Sequence, residues 1–222
     1  MKHHTIFALA LVPLMLTGCA TNSVSGTTPP AAAVRETPTP TPSRSDVRVV
    51  EMISASYAFD VSDVKEVLSH SPSVVVATVE RIADRAEFRT SDGSFPDTAV
   101  TVRVVETLKG EAPPAGVILV QGGIVTEQEA FEAMPLERAE KSGLADRSVK
   151  EREASLLRYV TAAPADLEVG ATYLMMLMTG PERGIYALGV DGYAVFHQDG
   201  PTFTNAITHQ KLTNEDLRAL LG

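Results

Sequence analysis

The chain has 222 residues, of which 44% are hydrophobic, and a formal net charge of −9. This length allows one domain of ordinary size with a linker, and a second domain is not expected. This excess of acidic residues argues against nucleic acid as a partner, because nucleic-acid phosphates are bound by basic surfaces. It also argues against electrostatic binding of the protein surface to anionic lipid. Since the sequence holds a single cysteine, an exported domain must rely on its hydrophobic core rather than on disulfides.

The first 18 residues predict a signal peptide. Lys2 precedes an apolar run over residues 5–17. That run is too short to cross a hydrocarbon core of roughly 30 Å as a helix, so we interpret it as a cleaved signal and not as a membrane span.

The run ends in Leu16-Thr17-Gly18-Cys19, which resembles the lipobox of bacterial lipoproteins. The resemblance implies recognition of Leu16, Thr17 and Gly18 by the lipoprotein signal peptidase and cleavage before Cys19. It also implies acylation of Cys19, and therefore an extracytoplasmic protein held on the cell membrane by its lipid. Ala20 after the cysteine would permit sorting to an outer membrane if the host has one. The alternative is an ordinary secretory signal with a chance cysteine.

Residues 19–45 predict a disordered tether behind the lipidated cysteine. The stretch is rich in Pro, Thr and Ser and has almost no large apolar residue, so it cannot bury enough area to offset its ordering entropy. A flexible coil of this composition would average roughly 30 Å end to end. The globular domain is accordingly expected to span residues 46–222.

The first part of that domain predicts strands with one short helix. Three β-branched residues at Val74-Val75-Val76 indicate a buried strand, and the alternation through Val100, Val102 and Val104 is typical of another. In chain order, the expected elements are a strand or extended lead-in over 47–59, a helix over 62–69 capped by Ser62, a strand over 73–82, a long connection or protruding hairpin end over 83–97, a strand over 98–108, and a third strand over 117–125 that is interrupted at Gly122-Gly123.

Residues 126–160 predict a helical insertion. Acidic and basic residues are interleaved there with scattered apolar ones, and β-branched residues are nearly absent, so we expect two helices broken near Pro135 and Gly143. Glu127, Glu129 and Glu132 lie where a first helical turn favours acidic side chains, and we expect them to be solvated. The alternative is a set of carboxylates presented on one helical face.

The last part predicts strands and a terminal helix. Leu174-Met175-Met176-Leu177-Met178 is so apolar that both faces of a strand over 171–179 must be covered. Asp191-Gly192 favours a hairpin between strands over 184–190 and 193–198. A further strand over 202–207 is expected, followed by a helix capped by Thr213.

This order of elements is that of a small Greek-key barrel of the OB type, in which a helix falls between the third and fourth strands. Three segments resemble the sequence pattern of netrin-like domains, which share an OB-type fold with tissue inhibitors of metalloproteinases. The segments are residues 74–79, 102–110 and 170–177. The resemblance implies a mainly β fold with a helical insertion and a C-terminal helix. It carries over no functional residue, because the N-terminal cysteine that those inhibitors use would here be acylated and separated by the tether.

No sequence motif indicates catalysis, phosphate binding or metal binding. The chain has no nucleophile elbow, phosphate-binding loop or metal-binding His spacing, so we predict no catalytic residue, no metal and no cofactor. The domain is therefore interpreted as a non-catalytic binding module, with an envelope protein or a small ligand as its partner. The alternatives are an envelope-acting enzyme with a site assembled from distant residues, or a netrin-like protease inhibitor.

A binding surface is expected where OB-type barrels hold ligands, across strands two and three and beside the loops at 83–97 and 180–183. Arg and aromatic side chains are enriched at binding hot spots. The alternative is that the arginines lie on a solvated strand face while Phe88 packs inward. The candidate residues are Arg85, Phe88, Arg89, Phe95 and Arg183.

Overall fold

The computed structural model describes residues 47–52, 57–89, 95–180 and 184–222. Of these residues, 46% lie in strands and 23% in helices, so the fold is mainly β as predicted. The predicted signal peptide, the lipobox with Cys19, the tether and Arg183 lie outside the described residues. Within them, no helix has both the length and the apolar character needed to cross a membrane.

The described part of the chain alternates strands with short helices. Its strands are β1 (Val47–Glu51), β2 (Ser73–Phe88), β3 (Pro96–Lys109), β4 (Ala115–Gln121), β5 (Gly123–Thr126), β6 (Leu156–Val160), β7 (Thr172–Thr179), β8 (Ile185–Leu188), β9 (Val195–Asp199), β10 (Thr202–Asn205) and β11 (Lys211–Thr213). Its α-helices are α1 (Val64–His70), α2 (Glu127–Ala133), α3 (Leu136–Lys141), α4 (Val149–Ala154) and α5 (Asn214–Leu221).

Two sheets organise these strands. The larger has eight strands in the order β11-β10-β9-β7-β2-β3-β4-β8, and β7 also pairs with β8. The pairings β2-β3-β4-β8-β7 therefore return to β2, with β4 and β8 parallel and the other neighbours antiparallel. The smaller sheet has the order β1-β6-β5, with β1 parallel to β6.

The apolar runs of β2 and β7 are buried on both faces because each strand separates two core clusters. Successive side chains of a strand point to opposite faces. Thus Val74 and Val76 join a first cluster beneath α1 and α5, whereas Val75 and Ala77 join a second cluster on the other face. In β7, Leu174 and Met176 pack in the first cluster while Tyr173, Met175 and Leu177 pack in the second. The predicted double burial is confirmed for Tyr173 to Leu177, whereas Met178 is 40% exposed.

The expected third strand is divided at Gly122 between the two sheets. Gly122 and Gly123 have φ angles of 100° and 125°, which favour glycine. A Cβ at Gly123 would collide with Thr98 and Ala86, so only glycine lets the chain pass this close. The Gly122 N–H donates to the Pro96 carbonyl at 2.7 Å, and its carbonyl accepts from Thr98 Oγ1 at 2.7 Å. The chain thus leaves β4 at this point and continues as β5.

The insertion holds three short helices and a strand where two helices were expected. The break at Pro135 is as predicted, and α3 ends just before Gly143. The helical prediction is wrong for Leu156–Val160, which form β6 between β1 and β5. Leu157 and Tyr159 alternate there as buried residues with exposed Arg158, a period-2 pattern obscured by the charged residues before it.

The expected hairpin at Asp191-Gly192 is also wrong. Strands β8 and β9 do not pair with each other but lie one after the other along the same edge of β7, separated by a 3₁₀ helix at Asp191–Ala194. Asn205, fully buried, fixes this turn because its amide donates to the carbonyls of Gly192, Tyr193 and Val195 at 2.9, 3.2 and 2.9 Å. A distant side chain thus overrides the local hairpin preference.

Of the two predicted helix caps, Thr213 is confirmed and Ser62 is wrong. Thr213 and Asp216 form a capping box at the start of α5, which buries Leu217. The N-cap of α1 is Asp63 rather than the predicted Ser62, because the Asp63 carboxylate accepts from the Lys65 N–H at 2.8 Å. Ser62 instead donates its hydroxyl to Asp60 at 2.6 Å.

Candidate functional site

The long β2-β3 hairpin reaches the insertion and packs against it. Its far end carries Phe88 and Phe95, which pack on a third core cluster made by the smaller sheet and the helices. The Phe88 ring meets Tyr159 edge-on, with 5.8 Å between centroids and 89° between planes. The residues buried in this cluster are Met52, Ala86, Val125, Ala130, Leu144, Leu157 and Tyr159.

The predicted binding residues are distributed over the sides of this hairpin. Arg85 forms an exposed ion pair with Glu129 of α2 at 3.2 Å, and Arg89 pairs with Glu87 at 2.9 Å. Phe88 and Phe95 come together with the third cluster, so Phe88 packs inward, as the alternative interpretation expected. Arg183 lies outside the described residues.

Phe95 lines a cavity of about 410 Å³ between β1, β6 and the helices, which we call the insertion cavity. Side chains of Val50, Met52, Leu144 and Leu157 give it an apolar wall, and charged side chains stand around them. The full lining is Arg48, Val50, Glu51, Met52, Phe95, Met134, Arg138, Ser142, Leu144, Leu157 and Tyr159. Its volume lies within the roughly 300–1,000 Å³ typical of small-molecule sites.

A buried carboxylate, that of Glu127, holds the Arg48 side chain at the wall of the cavity. Glu127, at the start of α2, is 2% exposed and lies 3.4 Å from the Arg48 guanidinium. Its other oxygen accepts from Arg147, whose guanidinium also donates to Ser155 at 3.1 Å. The expectation of a solvated Glu127 is therefore wrong, because two cations from distant segments compensate its desolvation. Two guanidiniums share one carboxylate, so this group of three side chains keeps one net positive charge.

Arg152 fixes the helices behind the cavity. It is 6% exposed, and its guanidinium stacks on the Phe131 ring at 3.9 Å from the centroid. It donates to the carbonyls of Leu144 and Arg147 at 3.0 and 2.6 Å, and to the Gln128 side chain at 2.8 Å. These bonds hold Leu144, which lines the cavity, and Arg147, which contacts Glu127, in one arrangement.

Tyr159 connects the apolar and the cationic sides of the cavity. Burial raises the pKa of its phenol, while the charges of Arg48 and Arg138 lower that pKa. Both guanidiniums are thus close enough to act electrostatically on the same hydroxyl. Arg138 is exposed, and the described residues provide it with no ion-pair partner.

The described histidines lie apart from this cavity. His70 stacks on Phe59 with 4.2 Å between ring centroids, and His197 meets Tyr173 edge-on at 5.2 Å. No described histidine forms an ion pair with a carboxylate. Over residues 47–52, 57–89, 95–180 and 184–222, no group of three His, Cys, Asp or Glu side chains is placed to hold a metal ion.

A second electrostatic feature, Asp191, was interpreted from sequence as a turn residue alone. It is half-buried, with φ at 49°. Burial raises the pKa of its carboxyl to about 6, and the charge of Asp97 adds to the effect. Burial likewise raises the pKa of Asp97, which Arg89 partly offsets. The environment of Asp191 is formed by segments distant in sequence, so no local sequence pattern indicates that the pKa of Asp191 is raised.

Two comparisons of the sequence with known proteins give no match. No model of a known protein family matches the chain. No curated protein matches it either.

We expect Asp191→Asn to change how stability depends on pH. Because the folded-state pKa of Asp191 is raised to about 6, the contribution of Asp191 to stability falls as pH rises from about 4 through that value. The full shift corresponds to about 3 kcal/mol, and half-exposure reduces the expected effect to about 1–2 kcal/mol. Urea unfolding at pH 4 and pH 7 should show Asp191→Asn gaining that much over wild type at the higher pH. Asn also tolerates the positive φ.

Asp199→Asn is the matched control, since Asp199 is exposed at the next turn. Parallel pH profiles for Asp191→Asn and wild type would contradict the expectation.

Proposed function

We propose that the folded domain is a non-catalytic binding module that holds a small ligand in the insertion cavity. The observation that carries this proposal is an apolar cavity of about 410 Å³ bordered by Arg48 and Arg138. Apolar walls with a few oriented polar groups are typical of sites that bind small molecules. Buried Glu127 and Arg152 fix the surrounding elements, so the site is preformed.

The strands around the second core cluster are proposed to form a small OB-like Greek-key barrel. The cyclic pairing β2-β3-β4-β8-β7 supports this fold, as does the parallel pair β4-β8. The insertion then lies between the third and fourth strands of the barrel, where OB-type folds carry a helix. The same order supports the resemblance to netrin-like domains at the level of fold.

The module is further proposed to be a bacterial lipoprotein anchored outside the cytoplasm through Cys19. The motif Leu16-Thr17-Gly18-Cys19 supports the anchor. At about 0.8 kcal/mol for each buried methylene, two or more acyl chains give stable attachment where one does not. Residues 20–45 would then hold the cavity clear of the membrane surface.

We expect Cys19→Ala to abolish both lipidation and processing, because the acylated thiol directs cleavage before residue 19. Intact-mass measurement and detergent phase partition of the expressed chain should show an unprocessed, unlipidated precursor. Thr17→Ser is the control and should be processed normally. Mature protein of the Cys19→Ala variant in the detergent phase would contradict the anchor without bearing on the cavity.

Filling the cavity from β1 should block binding. Val50 lines the cavity, whereas its neighbour Val49 lies on the opposite face and is 58% exposed. Val50→Phe should weaken binding of the neutral apolar dye N-phenyl-1-naphthylamine by about tenfold, or about 1.4 kcal/mol. Fluorescence titration of the full chain carrying Cys19→Ala measures this.

Val49→Phe adds the same side chain one residue away and should leave dye binding unchanged. Both variants keep the same N-terminal segment, so dye bound there cancels in the comparison. Equal titration curves for Val50→Phe and Val49→Phe, with both proteins folded by circular dichroism, would refute ligand binding in this cavity.

A further inference from the structure

The charges around the insertion cavity favour an anionic group on its ligand. Arg48 and Arg138 both line the cavity, and the opposing carboxylate in the lining is Glu51. Arg48 shares its partner Glu127 with Arg147, so that carboxylate neutralises only part of its charge. Guanidinium groups form strong, charge-assisted hydrogen bonds with carboxylates.

This cationic edge stands out against the rest of the molecule. The chain carries a net charge of −9, so its average field repels anions. The guanidiniums of Arg48 and Arg138 create a local region of positive potential beside the Tyr159 phenol. Both charges lower the pKa of that phenol, as expected for nearby cations. An anion entering here gains from these charges, while Glu51 opposes a second negative charge on the ligand.

The remainder of the lining fixes the body of the ligand. Val50, Met52, Phe95, Met134, Leu144 and Leu157 present aliphatic, aromatic and thioether surface. Methionine side chains adapt to irregular apolar shapes, and two of them face this cavity. A flexible hydrocarbon chain matches such walls better than a polar or rigidly hydrogen-bonded molecule.

Resting on the proposed function, we infer that the insertion cavity binds an aliphatic carboxylate, with its chain between β1, β6 and the helices and its carboxylate at Arg48 and Arg138. The hydrocarbon contacts supply most of the binding free energy, because apolar burial scales with area. The guanidiniums supply the preference for a singly charged anion. Tyr159 also lines the cavity, close enough to both guanidiniums to feel their charge, and its hydroxyl can donate to the same carboxylate.

Decanoate is the probe, and decan-1-ol is its neutral counterpart with the same chain length. Each is titrated against N-phenyl-1-naphthylamine bound to the full chain carrying Cys19→Ala, well below the concentration at which decanoate forms micelles, and displacement of the dye is measured. Decanoate should bind about tenfold more tightly than decan-1-ol. Decyltrimethylammonium should bind more weakly than either, and decyl phosphate no more tightly than decanoate.

Arg138→Gln should weaken binding of decanoate more than binding of decan-1-ol, and so remove most of the preference for decanoate. Arg158→Gln is the matched control, because Arg158 lies on β6 between Leu157 and Tyr159 but on the opposite face of the strand. It removes the same charge from the chain and should keep the preference.

The outcomes separate this inference from the proposed function. If decan-1-ol displaces the dye as well as decanoate does, or if Arg138→Gln and Arg158→Gln act alike, the carboxylate assignment is overturned while ligand binding in the cavity stands. Tighter binding of decyl phosphate than of decanoate would also overturn the assignment. If none of the probes displaces the dye, the proposed function itself fails.

Discussion

The carboxylate of Glu127 connects the parts of the chain that form the insertion cavity. Glu127 is the first residue of α2. Its carboxylate contacts Arg48 of β1 and accepts a hydrogen bond from Arg147, in the segment before α4. At 2% exposure it cannot be rehydrated in place, so removing its cations would leave a costly unpaired charge. This constraint holds Arg48 at the cavity edge. It also explains how an acidic chain keeps a positive group beside an apolar space.

The two sheets have different roles in this arrangement. Strands β2, β3, β4 and β7 of the larger sheet supply most of the buried apolar side chains of the second core cluster. The β2-β3 hairpin extends beyond this cluster and carries two aromatic rings, Phe88 and Phe95, to the third cluster. One of these rings, Phe95, completes the wall of the cavity. The larger sheet therefore supports the cavity, and β1 and the insertion supply the rest of its lining.

The local sequence predicts those elements of the fold that depend on residues close together in the chain. Val74 to Val76 in β2 and Leu174 to Leu177 in β7 indicate buried strands because each strand has a core on both faces. Thr213 indicates the start of α5 through its capping box. Features that depend on distant partners have no such signal. Glu127 is buried by Arg48 and Arg147, and the turn at Asp191 is fixed by Asn205. Similarly, Phe95 was predicted at the site, but the guanidiniums beside it are Arg48 and Arg138, not Arg85 and Arg89.

We propose that a small amphiphile occupies the space between β1, β6 and α3. Amide hydrogen exchange of the full chain with and without saturating decanoate tests it most directly, because a ligand slows local opening of the segments that it contacts. Decanoate bound in the insertion cavity should slow exchange in residues 47–52, 136–144 and 156–160 and leave exchange in α1 and α5 unchanged. Protection centred on α1, α5 or β9 to β11, with none in those three segments, would contradict it.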